Sequence, residues 1–410
     1  MNLPLFFARR MRQPAVNKDN VSRQIINIAT VAVALGMAMI LIAIATGKGL
    51  QKEIHNKTAA FNGHLVVMPF ENNTSKISLI PFEKKLDFKR YWEENPIAYS
   101  FAFAIKAGML KAGDAFEGIL FKGVDKDFNP SALLPFMRSG RLPLWGQGNS
   151  NEIVLSERIA NRLQLKVGET VEAYFQNSRS QRLPNRRKFT VAGIFSTGFP
   201  DIDNNLILGD IRQIQQLNRW NENQIGGYQV FLKEPESSQT LADEIYAQLP
   251  SDLDVHLLKE QYASIFQWIA LFDFNILIIM LIMLLVGIIN MATALLVLIL
   301  ERSRMVGLLK ALGATHATIQ KIFLYNGVVI MLKGLLIGNV LGLLFYFSQF
   351  NWGWIQLDPE TYFVQQAPVV LPFFELLGVN FLFLVISALV LWLPSQIIVG
   401  IAPAKVLRFR

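Results

Sequence analysis

Four long apolar stretches, residues 25–47, 269–300, 321–348 and 374–399, constrain this chain more than any other feature of its sequence. Each meets the requirement of about 20 mainly apolar residues for a hydrocarbon core about 30 Å thick. Four such segments imply an α-helical membrane protein, because helices satisfy every backbone group within lipid. The stretch between the first two, residues 48–268, mixes polar and apolar residues and reads as a domain outside the membrane. The first stretch follows a basic leader, as in a secretory signal. Its apolar run of about 22 residues exceeds the roughly 7 to 15 of a cleavable segment, so it is expected to remain as an anchor.

Lys and Arg concentrate on the cytoplasmic flanks of membrane helices, and here they fall in three places. Arg9, Arg10, Arg12, Lys18 and Arg23 lie in residues 1–24; Arg302, Arg304, Lys310 and Lys321 lie in or beside the interruption at 301–320; Lys405, Arg408 and Arg410 lie in the tail at 400–410. These twelve bases face only Asp19 and Glu301, a net of +10 in a chain of net +8, so the remainder carries −2. No Lys or Arg occurs between Lys333 and Lys405. Both termini and the interruption are therefore expected in the cytoplasm, with residues 48–268 and the loop 349–373 on the opposite side. The positive charge is spread over membrane flanks and accompanies no nucleic-acid reader motif, so no nucleic-acid partner is expected. The absence of cysteine excludes disulfides and thiolate metal sites.

Residues 48–268 are expected to form an α+β domain. Runs rich in β-branched and aromatic residues at 64–68, 118–124, 189–195, 206–208 and 228–232 read as strands. Segments 157–165, 211–218 and 239–249 carry apolar residues at three and four spacing and read as helices. Residues 176–188, QNSRSQRLPNRRK, read as the tip of a basic projecting hairpin stiffened by Pro184; a solvated loop is the plain alternative. Before the first span, Leu3, Phe6, Phe7 and Met11 beside Arg9, Arg10 and Arg12 suggest an interfacial helix, with a disordered tail as the alternative.

The interruption itself, ERSRMVGLLKALGATHAT from Glu301, places Met305, Leu308, Leu309 and Leu312 at i, i+3, i+4 and i+7. That spacing puts four apolar side chains on one helix face, with Gly313 as a helix stop, and reads as a docking element. The second apolar stretch is longer than a bilayer needs and is expected to project outward as a stalk, with Asp273 near its outer boundary. Gly334, Gly338 and Gly342 repeat every fourth residue in the third stretch and read as a helix-packing face. Lys333 beside them is an ionisable group within a span, a candidate for a transport role whose plain alternatives are that it snorkels outward or pairs with Asp273.

Enzymatic signatures are missing. Gly47-Lys48 is followed by Gly49, so no phosphate-cradling GxxxxGK[ST] motif exists. His55, His64, His256 and His316 show no metal-ligand spacing, and no GxSxG elbow occurs. The chain is expected to catalyse nothing itself, to bind no metal and to depend on a partner for any energy it uses.

The segment ERSRMVGLLKALGA from Glu301, the glycine-rich span after it and the tail IAPAKVLRFR from Ile401 resemble the signatures of the MacB/FtsX/LolC-LolE class of ABC transporter permeases. GVDKDFNP from Gly123 and NEIVLSERIANRLQLKVGETV from Asn151 are also similar to segments of that class. The resemblance covers nearly the whole chain. It implies four transmembrane helices in a 1+3 arrangement, a MacB-like periplasmic core domain and residence in a bacterial inner membrane. It further implies a second permease subunit, and a separate cytoplasmic ATPase that uses ATP and Mg while this chain holds no cofactor. Docking of that ATPase would fall to Glu301, Arg302, Met305, Leu308, Leu309, Leu312 and Gly313. Within the class, RLPNRRKFTVAGIFSTG from Arg182 is similar to the hook region of lipoprotein-releasing permeases. Arg179, Arg182, Pro184, Arg186 and Arg187 would then engage a LolA-like carrier, with membrane lipids around the spans and a lipoprotein as cargo. The alternative is a MacB-like efflux permease for peptides or drugs. Lys333 departs from the apolar residue the resemblance leads one to expect in the third span.

Overall fold

A computed structural model describes residues 20–72, 76–84, 97–145, 148–176, 184–362 and 364–396. The possible interfacial helix, Arg179, Arg182 and the tail lie outside them. In chain order the main elements are α1 (Asn20–Asn62), β1 (Leu65–Pro69), β2 (Phe82–Glu83), β3 (Ile97–Ala112), β4 (Ala115–Val124), β5 (Met137–Gly140) and β6 (Glu152–Ser156). Next come α2 (Glu157–Leu163), β7 (Thr170–Phe175), β8 (Asn185–Phe195), β9 (Leu206–Asp210), α3 (Ile211–Asn218), β10 (Gln224–Ile225), β11 (Gly227–Leu232), α4 (Ser238–Tyr246) and β12 (Leu253–Leu257). The chain ends in α5 (Ala263–Glu301), α6 (Ser303–Ala311), α7 (His316–Trp352) and α8 (Phe373–Ser395). It divides into two compact units: one of Met1–Lys52, Trp268–Gln356 and Gln366–Arg410, the other of Glu53–Gln267 and Leu357–Gln365.

Among the described residues four helices, α1, α5, α7 and α8, are long and apolar enough to cross a membrane, and their apolar parts make up the helical unit. Its core joins Val33, Met37 and Leu41 of α1 to Met291 and Leu295 of α5, Phe323 and Ile330 of α7, and Phe383 and Leu391 of α8. The glycine repeat of α7 faces α1. A Cβ at Gly334 would fall 2.6 Å from Cγ1 of Val33, one at Gly338 2.6 Å from the Ala34 carbonyl oxygen, and one at Gly342 2.8 Å from Cδ1 of Leu41. Lipid gives helices no hydrophobic reason to associate, so backbone approach through small residues supplies the packing instead. On the other side of α7, Asn339 and Asn380 of α8 exchange amide hydrogen bonds at 2.7 and 3.0 Å. The Oδ1 of each half-buried amide thus accepts a donor from the other helix, which lowers the cost of placing it between helices.

Two of the membrane-length helices run beyond their apolar stretches. α1 continues to Asn62, well past the apolar run that ends at Thr46, and α5 begins at Ala263. A helix continues through polar residues when nothing breaks it, and the sequence from Gly47 to Asn62 holds no proline.

The other unit is built on a mixed ten-stranded sheet of order β12-β1-β11-β3-β4-β9-β6-β8-β5, with β7 bridging β3 and β8; β10 and β2 pair separately. Most neighbours are antiparallel, while β4 with β9 and β6 with β8 run parallel. The expected strands at 118–124, 189–195, 206–208 and 228–232 lie within β4, β8, β9 and β11. The sequence reading missed β3, β6 and β12 because β3 is rich in alanine and the others are short and carry acids, whereas β7 is the leading strand of the expected hairpin. Phe121, Phe175 and Phe189 meet at the centre with ring centroids 5.3 to 6.5 Å apart. Helices α2 and α3 begin at caps, where Ser156 Oγ accepts from the Ile159 N–H and Asp210 Oδ1 from the Arg212 N–H.

A buried lysine lies within this sheet. Lys122 of β4, 3% exposed, donates to the Phe61 carbonyl at 2.5 Å and to Gln229 Oε1 at 2.8 Å, under the ring of Phe103. Burial pushes its ammonium down to about 7. Its acceptor, the Phe61 carbonyl, belongs to the C-terminal turn of α1, where the helix dipole is negative. Nearby, His64 Nδ1 accepts the Leu232 N–H at 3.0 Å, and burial, then the neighbouring His55, push its imidazole down to about 4.

Two outcomes follow. Gly338→Leu drives a side chain into the Ala34 backbone, an overpacking cost of about 1–3 kcal/mol or more, and should lower the thermal midpoint of the detergent-purified chain while Gly378→Leu, at an open site, does not. For His64, the unfolded chain takes up a proton near its ordinary value of 6.5 and the folded chain only near 4. Stability is therefore fully present above about pH 6.5 and declines as the pH falls toward 4. Thermal melts across that range should show the decline, and His64→Gln should flatten it.

Candidate functional site

The interruption between α5 and α7 folds as the short helix α6. Gly313 ends it at φ +88°, a left-handed conformation that suits glycine, with its N–H on the Lys310 carbonyl at 3.0 Å and the Ala314 N–H on the Leu309 carbonyl at 2.9 Å. Thr315 Oγ1 then caps α7 through the Thr318 N–H. The chain thus stops one helix and starts another within four residues.

The four apolar residues expected on a single docking face are divided by the fold. Leu309 and Val306 are buried and join the core of the helical unit, and Met305 is partly buried against it. Leu308 is 54% exposed and Leu312 77% exposed. The outward surface therefore consists of Arg304, Leu308, Ala311 and Leu312, with Glu301 and Arg302 exposed at its start and Gly313 at its end. Helical spacing identifies residues that share a face but not the neighbour that covers them. The inward side of this short amphipathic helix goes to its own chain, which removes Met305 and Leu309 from the free surface.

At the basic hairpin, β7 and β8 pair antiparallel with Phe175 opposite Asn185 and Tyr174 opposite Arg186. β8 starts four residues before the expected run, so Arg186, Arg187 and Lys188 belong to a strand and not to the loop. Arg186 donates to Glu172, whose carboxyl is held below the usual range by hydrogen bonds from Tyr174 and Arg186. Arg187 Nη2 lies 3.4 Å from Gln216 Oε1 of α3. Pro184 is exposed immediately before β8. Of the five expected hook residues, Pro184 is therefore displayed and two arginines are engaged by their own domain; the other two lie outside the described residues.

Lys333 does not meet Asp273. It is exposed on α7, and Asp273 of α5 instead pairs with Lys48 of α1 at 2.8 Å. Sequence reasoning missed Lys48 as a partner because it was weighed only as part of a phosphate-binding motif. Among the described residues no cluster of three or more His, Asp or Glu is arranged to hold a metal.

Residues 28–248 match the family model for the MacB-like periplasmic core domain, and residues 277–403 match that for the FtsX-like permease C-terminal region. The chain belongs to the MacB/FtsX class of ABC transporter permeases. Within that class it is similar over its whole length to proteins of lipoprotein-releasing systems. It is 24% identical to the lipoprotein-releasing system transmembrane protein LolE of Haemophilus influenzae, covering 99% of each chain. It is 21% identical to the corresponding LolC of Xylella fastidiosa, again over 99% of each. The periplasmic region of MacB from Actinobacillus actinomycetemcomitans matches 49% of this chain and 91% of that one, at 15% identity and a TM-score of 0.34.

Membership in this class implies an ATPase partner and a second permease subunit. On that basis Leu308→Asp with Leu312→Asp should abolish co-purification of the ATPase without lowering the chain's thermal midpoint. Leu309→Asp buries a carboxylate in the helical core and should instead reduce the yield of folded protein.

Proposed function

We propose that this chain is the permease subunit of an ATP-driven machine that frees lipoproteins from the outer leaflet of a bacterial inner membrane and passes them to a soluble LolA-like carrier. The observation that carries the reading is its end-to-end correspondence with LolE and LolC relatives, together with the β7–β8 hairpin. Both termini and α6 lie in the cytoplasm in this reading, as the clusters of Lys and Arg require. The chain catalyses no reaction. ATP and Mg are consumed by the partner.

The physical demand suits such a device. Exposing acyl chains costs about 0.8 kcal/mol per CH₂, so extraction needs both an energy source and an apolar shelter. Two ATPase copies closing on ATP displace α6 through Arg304, Leu308, Ala311 and Leu312. α6 follows α5 directly, and α5 carries the displacement along the span. The cargo is handled at the outer face, so work is transmitted without a continuous pore.

The hairpin supplies the test. Replacing residues 177–183 with a short Gly-Ser segment leaves the paired strands β7 and β8 intact. In this reading the variant loses carrier binding and lipoprotein release, and keeps its ATPase. Unchanged release of a labelled lipoprotein from proteoliposomes would reject it. Loss of drug resistance on deletion of the gene, with no change in lipoprotein sorting, would favour MacB-like efflux.

A further inference from the structure

The tripeptide Gly47-Lys48-Gly49 lacks the context of a phosphate cradle, yet four segments of the helical unit meet at it. A Cβ at Gly47 would fall 2.7 Å from Cδ1 of Ile276 and 4.0 Å from Cβ of Phe272, so α5 lies directly against α1. A Cβ at Gly49 would fall 2.1 Å from the Pro368 carbonyl oxygen. That space is occupied by the backbone of residues 366–370, which is also held to α1 by the Val370 N–H on the Ala45 carbonyl at 2.9 Å. Between the glycines, Lys48 Nζ donates to Asp273 Oδ1 at 2.8 Å, and Glu375 Oε1 of α8 lies 3.8 Å from the same nitrogen. One turn on, Gln51 Nε2 donates to the Ile269 carbonyl at 3.2 Å.

The packing along α5 gives these contacts their weight. Met291, Ala294, Leu295, Leu298 and Ile299 are buried and anchor its C-terminal part. Between Ile269 and Gly287 no residue of α5 is buried. Toward its N-terminal end, the attachments to α1 include the close approach at Gly47, the hydrogen bonds of Lys48 and Gln51 and, further along, the edge contact of Phe266 with His55, ring centroids 5.6 Å apart. Coupling between distant sites travels through packed side chains, salt bridges and rigid elements, and a helix fastened at one end only delivers little motion at the other. Two carboxylates on two helices share one ammonium, so Lys48 keeps a partner when either helix shifts slightly.

We propose that Gly47, Lys48 and Gly49 form a clamp that makes α1, α5, α8 and the 366–370 segment move as one body at this end of the bundle, with Lys48 as its positioning residue. The proposal rests on reading the chain as an ATP-driven permease, and names the residues through which a displacement of α5 reaches α1.

The chain has no native cysteine, so engineered pairs report cleanly. Gly47→Cys with Phe272→Cys places two Cβ atoms 4.0 Å apart, within the disulfide range of about 3.5–4.5 Å. In the complete transporter with its ATPase, this pair should oxidise to the same yield in the nucleotide-free and vanadate-trapped states; a yield that collapses in either state overturns the clamp. Lys48→Ala should keep ATPase association and ATP hydrolysis but lower release of a labelled triacylated lipoprotein by about tenfold. Lys48→Arg should preserve release, and oxidising the cysteine pair in the Lys48→Ala background should restore it. Wild-type release by Lys48→Ala, or no restoration by the disulfide, overturns the proposal. Should the cysteine pair fail to fold, the contrast between Lys48→Ala and Lys48→Arg decides. A wild-type transporter that releases no lipoprotein rejects the cargo reading alone, because the disulfide yields in the two nucleotide states still judge the clamp.

Discussion

The helical unit depends on one seam, the approach of α7 to α1 through Gly334, Gly338 and Gly342. Each glycine leaves room for a side chain or carbonyl of α1, and a methyl group at any of the three positions would collide with it. The seam matters because lipid tails compete with any apolar side chain for contact, so association within a membrane rests on close fit and on the few polar groups that find partners. Asn339 with Asn380, and Lys48 with Asp273, are among the polar side chains that join helices of this bundle. α5 contributes buried packing mainly from Gly287 onward, and its earlier half relies on contacts to α1.

In the external unit the same economy takes another form. Lys122 is an amine with almost no access to water, its charged form disfavoured by burial and held by a helix-terminal carbonyl, a glutamine oxygen and an aromatic face. A buried charge persists only where its surroundings compensate for lost hydration. Here the compensation comes from the last turn of α1 and from β11, so one side chain of β4 joins a helix end to a second strand of the same sheet. The basic hairpin shows the opposite use of charge. Arg186 and Arg187 bond to Glu172 and Gln216 of their own domain, and Pro184 is exposed just before β8.

Much of the fold is legible in the sequence because its signals are local. Apolar runs of spanning length mark the membrane helices, and the 211–218 periodicity coincides with α3. Gly313 marks the end of α6, because few other residues accept its backbone conformation without cost. What was not legible depends on which neighbour arrives. The strand β3 is hidden in an alanine-rich run that its partners β4, β7 and β11 make extended. On α6, spacing grouped Met305, Leu308, Leu309 and Leu312 together, and burial separated Leu308 and Leu312 from the others.

By itself the sequence determined the number of membrane-length helices, the mixed α/β nature of residues 48–268 and the resemblance to ATP-coupled permeases, because hydrophobic length, alternation and local motifs do not need a partner to be read. Only the tertiary structure decided that Lys48 and not Lys333 faces Asp273, that the glycine repeat serves α1, and that half of the expected docking face of α6 is turned inward. Lys48 and Asp273 alone lie 225 positions apart along the chain, and no local pattern encodes which of two lysines a distant carboxylate will meet once the helices have packed.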